Sequence, residues 1–256
     1  MKEVKIIFCG ICGRMGENVM KAVNADPEVE IAAGVDISDP AHDYRFPIYK
    51  NISDVAEDAD VIVDFSHHSA IHGILEFALS RRVPAVICTT GHTDCEIAAI
   101  KAASEKIPVF FSGNMSIGIN LLIELAKKAA ATLGTGFDVE IVEEHHNKKL
   151  DAPSGTALMI ADAINESQDG RYSYTYDRHS ERRERDADEI GIHSVRGGNI
   201  VGEHEVIFAG ESEVIRIRHS AQSRAVFASG ALRAAKFLSG KAPGMYSMKE
   251  LIQSLI

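Results

Sequence analysis

The chain has 256 residues, 45% of them hydrophobic and 25% charged, which is the composition of a folded globular protein of one to two domains and not of a disordered or collagen-like chain. Lys and Arg number 27 against 37 Asp and Glu, a formal charge of -10, which argues against general nucleic-acid or anionic-membrane binding. An anionic ligand must therefore find a local basic pocket.

Val4–Cys9 reads as the first strand. Its apolar run, Ile6–Cys9, is too short for a signal sequence, and no stretch approaches the ~18 apolar residues of a spanning helix. A cytoplasmic protein with no membrane partner is expected. Gly10-Ile11-Cys12-Gly13-Arg14-Met15-Gly16 follows the strand and opens into a helical pattern over Met15–Val23. Glycines between a strand and a helix permit a tight turn and let backbone N–H groups approach a pyrophosphate. The spacing is GxxGxxG, a variant of the usual dinucleotide fingerprint. Cys9 and Cys12 form C-x-x-C, but Cys88 and Cys95 are separated by six residues, so no second pair at zinc spacing exists. The thiols are expected to be incidental.

A second strand, Val29–Val35, ends at Asp36, twenty residues beyond Gly16, where a carboxylate can take the adenosine ribose hydroxyls. Because Ile37 carries no charge for a 2′-phosphate, NADH should be used at least as well as NADPH, although Arg14 could supply such a charge. Strands are expected at Asp60–Phe65, Pro84–Cys88 and Ile107–Phe111, separated by helices over Ala70–Leu79 and Asp94–Ala103. Such alternation builds a parallel sheet wound on both faces. Thr89-Thr90-Gly91 and Ser112-Gly113-Asn114-Met115-Ser116 would then lie beyond the carboxyl ends of strands, where ligands bind. His67 and His68, at the end of the third strand, read as satisfied or solvated.

The grammar changes near Ser112. A helix over Ile117–Leu133 and an alternating strand over Phe137–Glu143 lead to Glu143-Glu144-His145-His146-Asn147-Lys148-Lys149-Leu150-Asp151-Ala152-Pro153-Ser154-Gly155-Thr156-Ala157. Two histidines and two lysines precede a helix start whose free N–H groups can receive a carboxylate. A histidine donates protons near neutral pH and a lysine meets a carboxylate or a developing anion. No metal is expected: adjacent histidines in extended chain face opposite ways, which disfavours one shared ion with Glu143 and Glu144. Asp169–Asp188, rich in charge and lacking apolar period, reads as a mobile surface loop. Ile190–Val195, Ile200–Phe208 and Glu213–His219 read as strands of an antiparallel or mixed sheet, followed by helices over Ser223–Leu238 and from Ser247, where Ser247 and Glu250 have capping-box spacing.

The set Gly10-x-x-Gly13-Arg14-Met15-Gly16, Asp64-Phe65-Ser66, Thr89-Thr90-Gly91, Glu144-His145-His146-x-x-Lys149-x-Asp151-Ala152-Pro153-Ser154-Gly155-Thr156-Ala157 and Val201-Gly202-Glu203-His204 resembles the 4-hydroxy-tetrahydrodipicolinate (dihydrodipicolinate) reductases of the diaminopimelate route to lysine. The resemblance implies an α/β protein: a Rossmann-type doubly wound parallel sheet over 1–116 and 222–256, and a central α/β substrate-binding and oligomerisation domain with a mixed sheet over 117–221. It implies a homotetramer, and hinges near Ser112–Ile117 and Ala221–Arg224 that close over substrate. Gly10, Ile11, Cys12, Gly13, Arg14 and Met15 would hold the pyrophosphate, Asp36 the ribose, and Cys88, Thr89, Thr90, Ser112, Gly113, Asn114 and Met115 the nicotinamide end of NADH or NADPH. His145 would donate the proton with Lys149 as its partner, and His146, Gly155 and Thr156 would bind a small dicarboxylate, to which the helix start read above adds Ser154. Arg224 falls where the family has an arginine near the hinge. Cys88, Met115 and His68 depart from the family's usual Gly, aromatic and Pro. The expected activity is the NAD(P)H-dependent reduction of a cyclic unsaturated dicarboxylate imine. A nucleotide-sensing regulator would share the glycine turn but has no need of the 145–156 cluster, and that cluster also argues against another amino-acid-pathway dehydrogenase.

Overall fold

The computed structural model describes residues 3–41, 43–180 and 182–255. The chain divides into two compact units, the first running to Ile117 and resuming at Arg224, the second covering Gly118–Ser223.

The first unit holds seven parallel strands: β1 (Val4–Cys9), β2 (Val29–Val35), β3 (Ile48–Tyr49), β4 (Val61–Asp64), β5 (Ala85–Ile87), β6 (Pro108–Phe111) and β12 (Gly244–Tyr246), in the order β12-β6-β5-β4-β1-β2-β3. Strands buried on both faces need no alternation, and β4 is buried at every residue. On one face Ile6, Phe8 and Val63 pack with Val19 of α1 (Gly16–Ala25), Ala231 and Leu232 of α6 (Ala225–Leu238) and Leu251 of α7 (Met248–Gln253). On the other, Ile7, Ile62 and Ile87 pack with Ile74 and Phe77 of α2 (Ile71–Arg81) and Ile100 of α3 (Asp94–Ser104). The order reverses between β1 and β4, so the carboxyl ends of those strands form the switch point where such sheets bind ligands. Two capping boxes start helices here, Thr93–Glu96 before α3 and Ser247–Glu250 before α7. β3 and β12 were not expected; at two and three residues they are too short to show a period, and pairing with β2 and β6 defines them.

In the second unit, α4 (Ile117–Leu133) leads to β7 (Asp138–His145), α5 (Gly155–Glu166), β8 (Ser173–Thr175), β9 (Glu189–Arg196), β10 (Gly202–Ala209) and β11 (Val214–Ala221). The sheet order is β11-β10-β7-β9-β8. β10 runs antiparallel to β7 and β11, while β9 is parallel to β7 and β8, so the sheet is mixed. Ile119, Leu122 and Ala126 of α4 and Ile160, Ala161 and Ile164 of α5 join Val139, Ile141, Ile192, Val206 and Phe208 in one core.

The surface-loop expectation for 169–188 needs correction. Ser173–Thr175 pairs with β9, Tyr172 is buried, and Arg178 and Arg185 reach Glu140 on β7. Arg178 also pairs with buried Glu189. Hydrogen bonds and ion pairs anchor this segment, so apolar periodicity gave no sign of it.

Candidate active site

The glycine turn stands at the switch point of the first sheet. Gly10 has φ +87°, and a Cβ there would lie 2.6 Å from Phe65 O at the end of β4. At Gly16 a Cβ would overlap Ile11 O at 1.8 Å. These two glycines are demanded by packing alone, whereas Gly13, exposed with Arg14, leaves the turn open to solvent. Ile11 is buried and holds the turn onto the core. Cys12 donates its N–H to Asp36 Oδ2 at 2.8 Å, and Asp36 Oδ1 accepts from Ser38 N at 2.9 Å. Each carboxylate oxygen keeps acceptor capacity for a further donor such as a ribose hydroxyl. Asp36 lines a cavity of about 560 Å³ with Gly10, Ile37, Lys50, Ser66 and His67. A glycine-rich turn at a helix start, a strand-end carboxylate and this cavity fit a dinucleotide.

The two other expected loops are internally tied. Thr89 Oγ1 donates to Asp64 Oδ2 at 2.7 Å, and Ser66 N and Oγ donate to Asp64 Oδ1 at 2.9 and 2.5 Å. Burial pushes the Asp64 carboxyl up, against these hydrogen bonds. Ser112 Oγ bonds Asn114 O at 2.9 Å, and Asn114 Oδ1 receives Ser116 N at 2.9 Å. Met115 lies in the core, where Gly230 of α6 comes so near that a Cβ would sit 1.8 Å from Met115 O. The Cys88 side chain is buried too, and burial pushes its thiol well up. Ile11, Cys88 and Met115 can therefore meet a cofactor only through backbone, while Thr90 and Gly113 are exposed. His67 accepts from Ser69 N at 3.3 Å and His68 lies 2.9 Å from Glu96 Oε1, so both are engaged.

In the second unit, alternation along β7 buries Glu143 and His145 on the same side. His145 Nδ1 is 2.5 Å from Glu143 Oε2, and Arg196 of β9 grips Glu143 with Nη1 at 2.8 Å and Nη2 at 2.7 Å. Burial raises the Glu143 carboxyl, but Arg196, Ser194 and His145 outweigh it and bring it to about 2. Burial lowers the His145 imidazole, with Glu143 opposing and Lys149 and Arg196 reinforcing. Ser154 caps α5 by accepting from Ala157 N at 3.1 Å, gives its own N–H to Glu143 Oε1 at 3.1 Å, and lies 3.1 Å from His204 Nε2. His204 is buried and its imidazole falls to about 3, chiefly through burial and then through His145. Lys149 lies 2.8 Å from Asp151 Oδ1. His146 Nδ1 is buried without a hydrogen-bond partner, and Gly155 and Thr156 form the first turn of α5.

Four contributors were missed. Arg196 reaches Glu143 only through long-range pairing of β7 with β9, which leaves no local signal. Gly202 and His204 stood in a quoted motif without a role. Lys50 donates to Ile37 O at 3.1 Å and to Asp39 Oδ1 at 2.5 Å, which brings a cation beside Asp36 from beyond β3. The Glu143–His145 pairing was legible as a spacing of two on a strand.

A dinucleotide fold followed by a mixed-sheet unit with buried histidines places this chain in the class of two-domain oxidoreductases. The sequence profile for "Dihydrodipicolinate reductase, N-terminus" matches residues 4–115 and that for "Dihydrodipicolinate reductase, C-terminus" matches 118–252. The chain belongs to the dihydrodipicolinate reductase family. It is similar to the 4-hydroxy-tetrahydrodipicolinate reductases of Caldanaerobacter subterraneus subsp. tengcongensis, 53% identical over 98% of both chains, and of Clostridium tetani, 43% identical over 98% of both. Among solved structures it resembles dipicolinate-bound dihydrodipicolinate reductase from Paenisporosarcina sp. TG-14, with TM-score 0.81 and 26% identity over 96% of this chain and 97% of that one.

Proposed function

We propose that this protein is a 4-hydroxy-tetrahydrodipicolinate reductase acting in the cytoplasm, reducing a cyclic unsaturated dicarboxylate imine to tetrahydrodipicolinate on the route to diaminopimelate and lysine. The observation that carries the reading is the buried Glu143–His145 pair beside the capped start of α5, a proton donor next to an anion site, in a chain of this family. A bound reduced nicotinamide supplies the hydride. Gly10, Ile11, Cys12, Gly13, Arg14 and Met15 hold its pyrophosphate, Asp36 its ribose, and Cys88, Thr89, Thr90, Ser112, Gly113, Asn114 and Met115 the nicotinamide end. After the 4-hydroxyl of the condensation product has left as water to give the conjugated imine, hydride addition would leave an enamine carbon to which His145 gives its proton, so one hydride and one proton saturate one double bond. Ser154, Gly155 and Thr156 offer N–H groups to one carboxylate, while His146 and Lys149 bind substrate and offset charge. Lys149 must exchange Asp151 for the substrate carboxylate. All four cysteines are free, as a cytoplasmic setting favours. The test supplies the condensation product of pyruvate and aspartate semialdehyde and follows loss of reduced-cofactor absorbance; no turnover with either cofactor defeats the reading.

Lys50 changes the expectation for the cofactor. With Asp36 for the ribose and Lys50 for a 2′-phosphate, both cofactors should be used, with kcat/KM values within about tenfold, or about 1.4 kcal/mol. Lys50→Ala should raise KM for NADPH about 3- to 10-fold, an exposed charge contact being worth about 1 kcal/mol, and leave NADH unchanged. Equal effects on both cofactors would remove Lys50 from this role.

The face of the second sheet opposite α4 and α5 carries Glu140, His193, Glu203, Glu205, Arg216 and Arg218, with Arg218–Glu203 and Arg216–Glu205 paired across strands. A homotetramer formed through this face predicts a light-scattering mass of four times 27.8 kDa, and a monomer at micromolar concentration would contradict it.

A further inference from the structure

Glu143 is fully buried and receives donors from Arg196 Nη1 and Nη2, the Ser154 backbone N–H, His145 Nδ1 and the Ser194 side chain. A carboxylate held ionised to about 2 can only accept. The proton shared with the imidazole therefore belongs to Nδ1, and Nε2 is the ring atom left for chemistry. Gly202 on β10 comes close to that second nitrogen, since a Cβ at 202 would sit 3.1 Å from His145 Nε2 and 3.4 Å from its Cδ2. Any side chain there would press on the reacting edge of the ring. No positive φ explains the glycine, so the close approach to His145 does.

We propose that Glu143, clamped by Arg196, and Gly202 are positioning residues for the protonation step: the carboxylate fixes His145 as its Nδ1–H tautomer, and the glycine keeps Nε2 uncovered. This rests on His145 as the proton donor. The charged and titratable groups facing His145 act in both directions. Glu143 on its own strand favours the imidazolium, while Lys149 from the following loop and Arg196 from β9 oppose it. His204 from β10, with ring centroids 5.3 Å apart, and His219 from β11 near His204 complete the surroundings. Among these groups, Glu143 both orients the ring and supports its charged form.

The experiment combines nitrogen NMR of histidine-labelled protein with kinetics. In the wild type, above the histidine titration, the signal lost in His145→Gln should show Nδ1 protonated; protonated Nε2 would overturn the proposal. Glu143→Gln can donate to Nδ1 and so permits the other tautomer. It should lower kcat about 10- to 10³-fold with cofactor affinity intact, a partial form of the triad case in which the wrong tautomer costs ~10⁴. It should also move the fall of kcat/KM to lower pH, since the imidazolium loses its carboxylate. Glu143→Asp should recover part of the rate. Gly202→Ala, which leaves the Glu143 cluster in place, should lower kcat by about tenfold or more at unchanged melting temperature. Unchanged tautomer and kcat in folded Glu143→Gln, or wild-type kcat in Gly202→Ala, would overturn the assignment. Wild-type kcat in His145→Gln would instead overturn the proton-donor reading itself, whatever the tautomer.

Discussion

His145→Gln is expected to lower kcat by on the order of 10²-fold or more while leaving cofactor affinity unchanged, since general acid catalysis contributes about 10² to 10⁴ and the glycine turn proposed to hold the cofactor lies in the other unit. Gln keeps bulk and polarity but has no transferable proton. Lys149→Ala should depress kcat and also raise KM for the dianionic substrate, because it removes charge stabilisation and a ground-state carboxylate contact together. The pH dependence follows from burial, which lowers the His145 imidazole below 6.5. The acid must be protonated in the free enzyme, so kcat/KM should fall as pH rises through a value below 6.5. Steady-state kinetics of both variants, with cofactor dissociation constants from fluorescence, checks this. A non-catalytic nucleotide sensor would show no turnover to lose, and a surface-turn histidine would give near-wild-type kcat in the Gln variant.

Arg196→Met is expected to destabilise the protein by about 3–5 kcal/mol, the usual result of removing one partner from a buried ion pair. Glu143 is wholly buried, and two of its donors come from Arg196. Arg196 also donates to Asp151 O at 2.6 Å, so the loop carrying Lys149 and Asp151 loosens as well. At about 2–4 °C per kcal/mol for a chain of this size, the melting temperature should drop by about 6–20 °C. The sign with pH is fixed by the depressed carboxyl. Its contribution is complete above 4.5 and is lost as pH falls toward about 2. The gap between wild type and variant should therefore be widest near neutrality and narrow below about pH 4.5. Melting curves at pH 7 and pH 3.5 with equal gaps would show that the ion pair does not hold this part of the second unit together.

The parallel sheet was legible because each element announces itself locally. Val4–Cys9 is apolar but for Lys5 and Val61–Asp64 but for its terminal acid, the intervening helices carry one apolar stripe each, and Gly10 and Gly16 mark the turn where a Cβ has no room. The same held for His145, Lys149 and the Ser154 cap, which lie within ten residues of one another in sequence. Other features were decided only in three dimensions. β3, β8 and β12 are defined by pairing with a neighbouring strand, since their own two or three residues are too few to show a period. Arg185 and Arg178 turn a charged segment into anchored chain by reaching Glu140 across the sheet. Lys50 meets the Asp36 turn from fourteen residues away, and Arg196 meets Glu143 from fifty-three. Sequence alone thus determined what depends on neighbours along the chain: backbone conformation, periodicity and the supply of reactive groups. Tertiary structure decided which buried charge is paired, which tautomer its partner must adopt and which nitrogen stays uncovered, because those outcomes depend on desolvation and on contacts between residues that only strand pairing brings together.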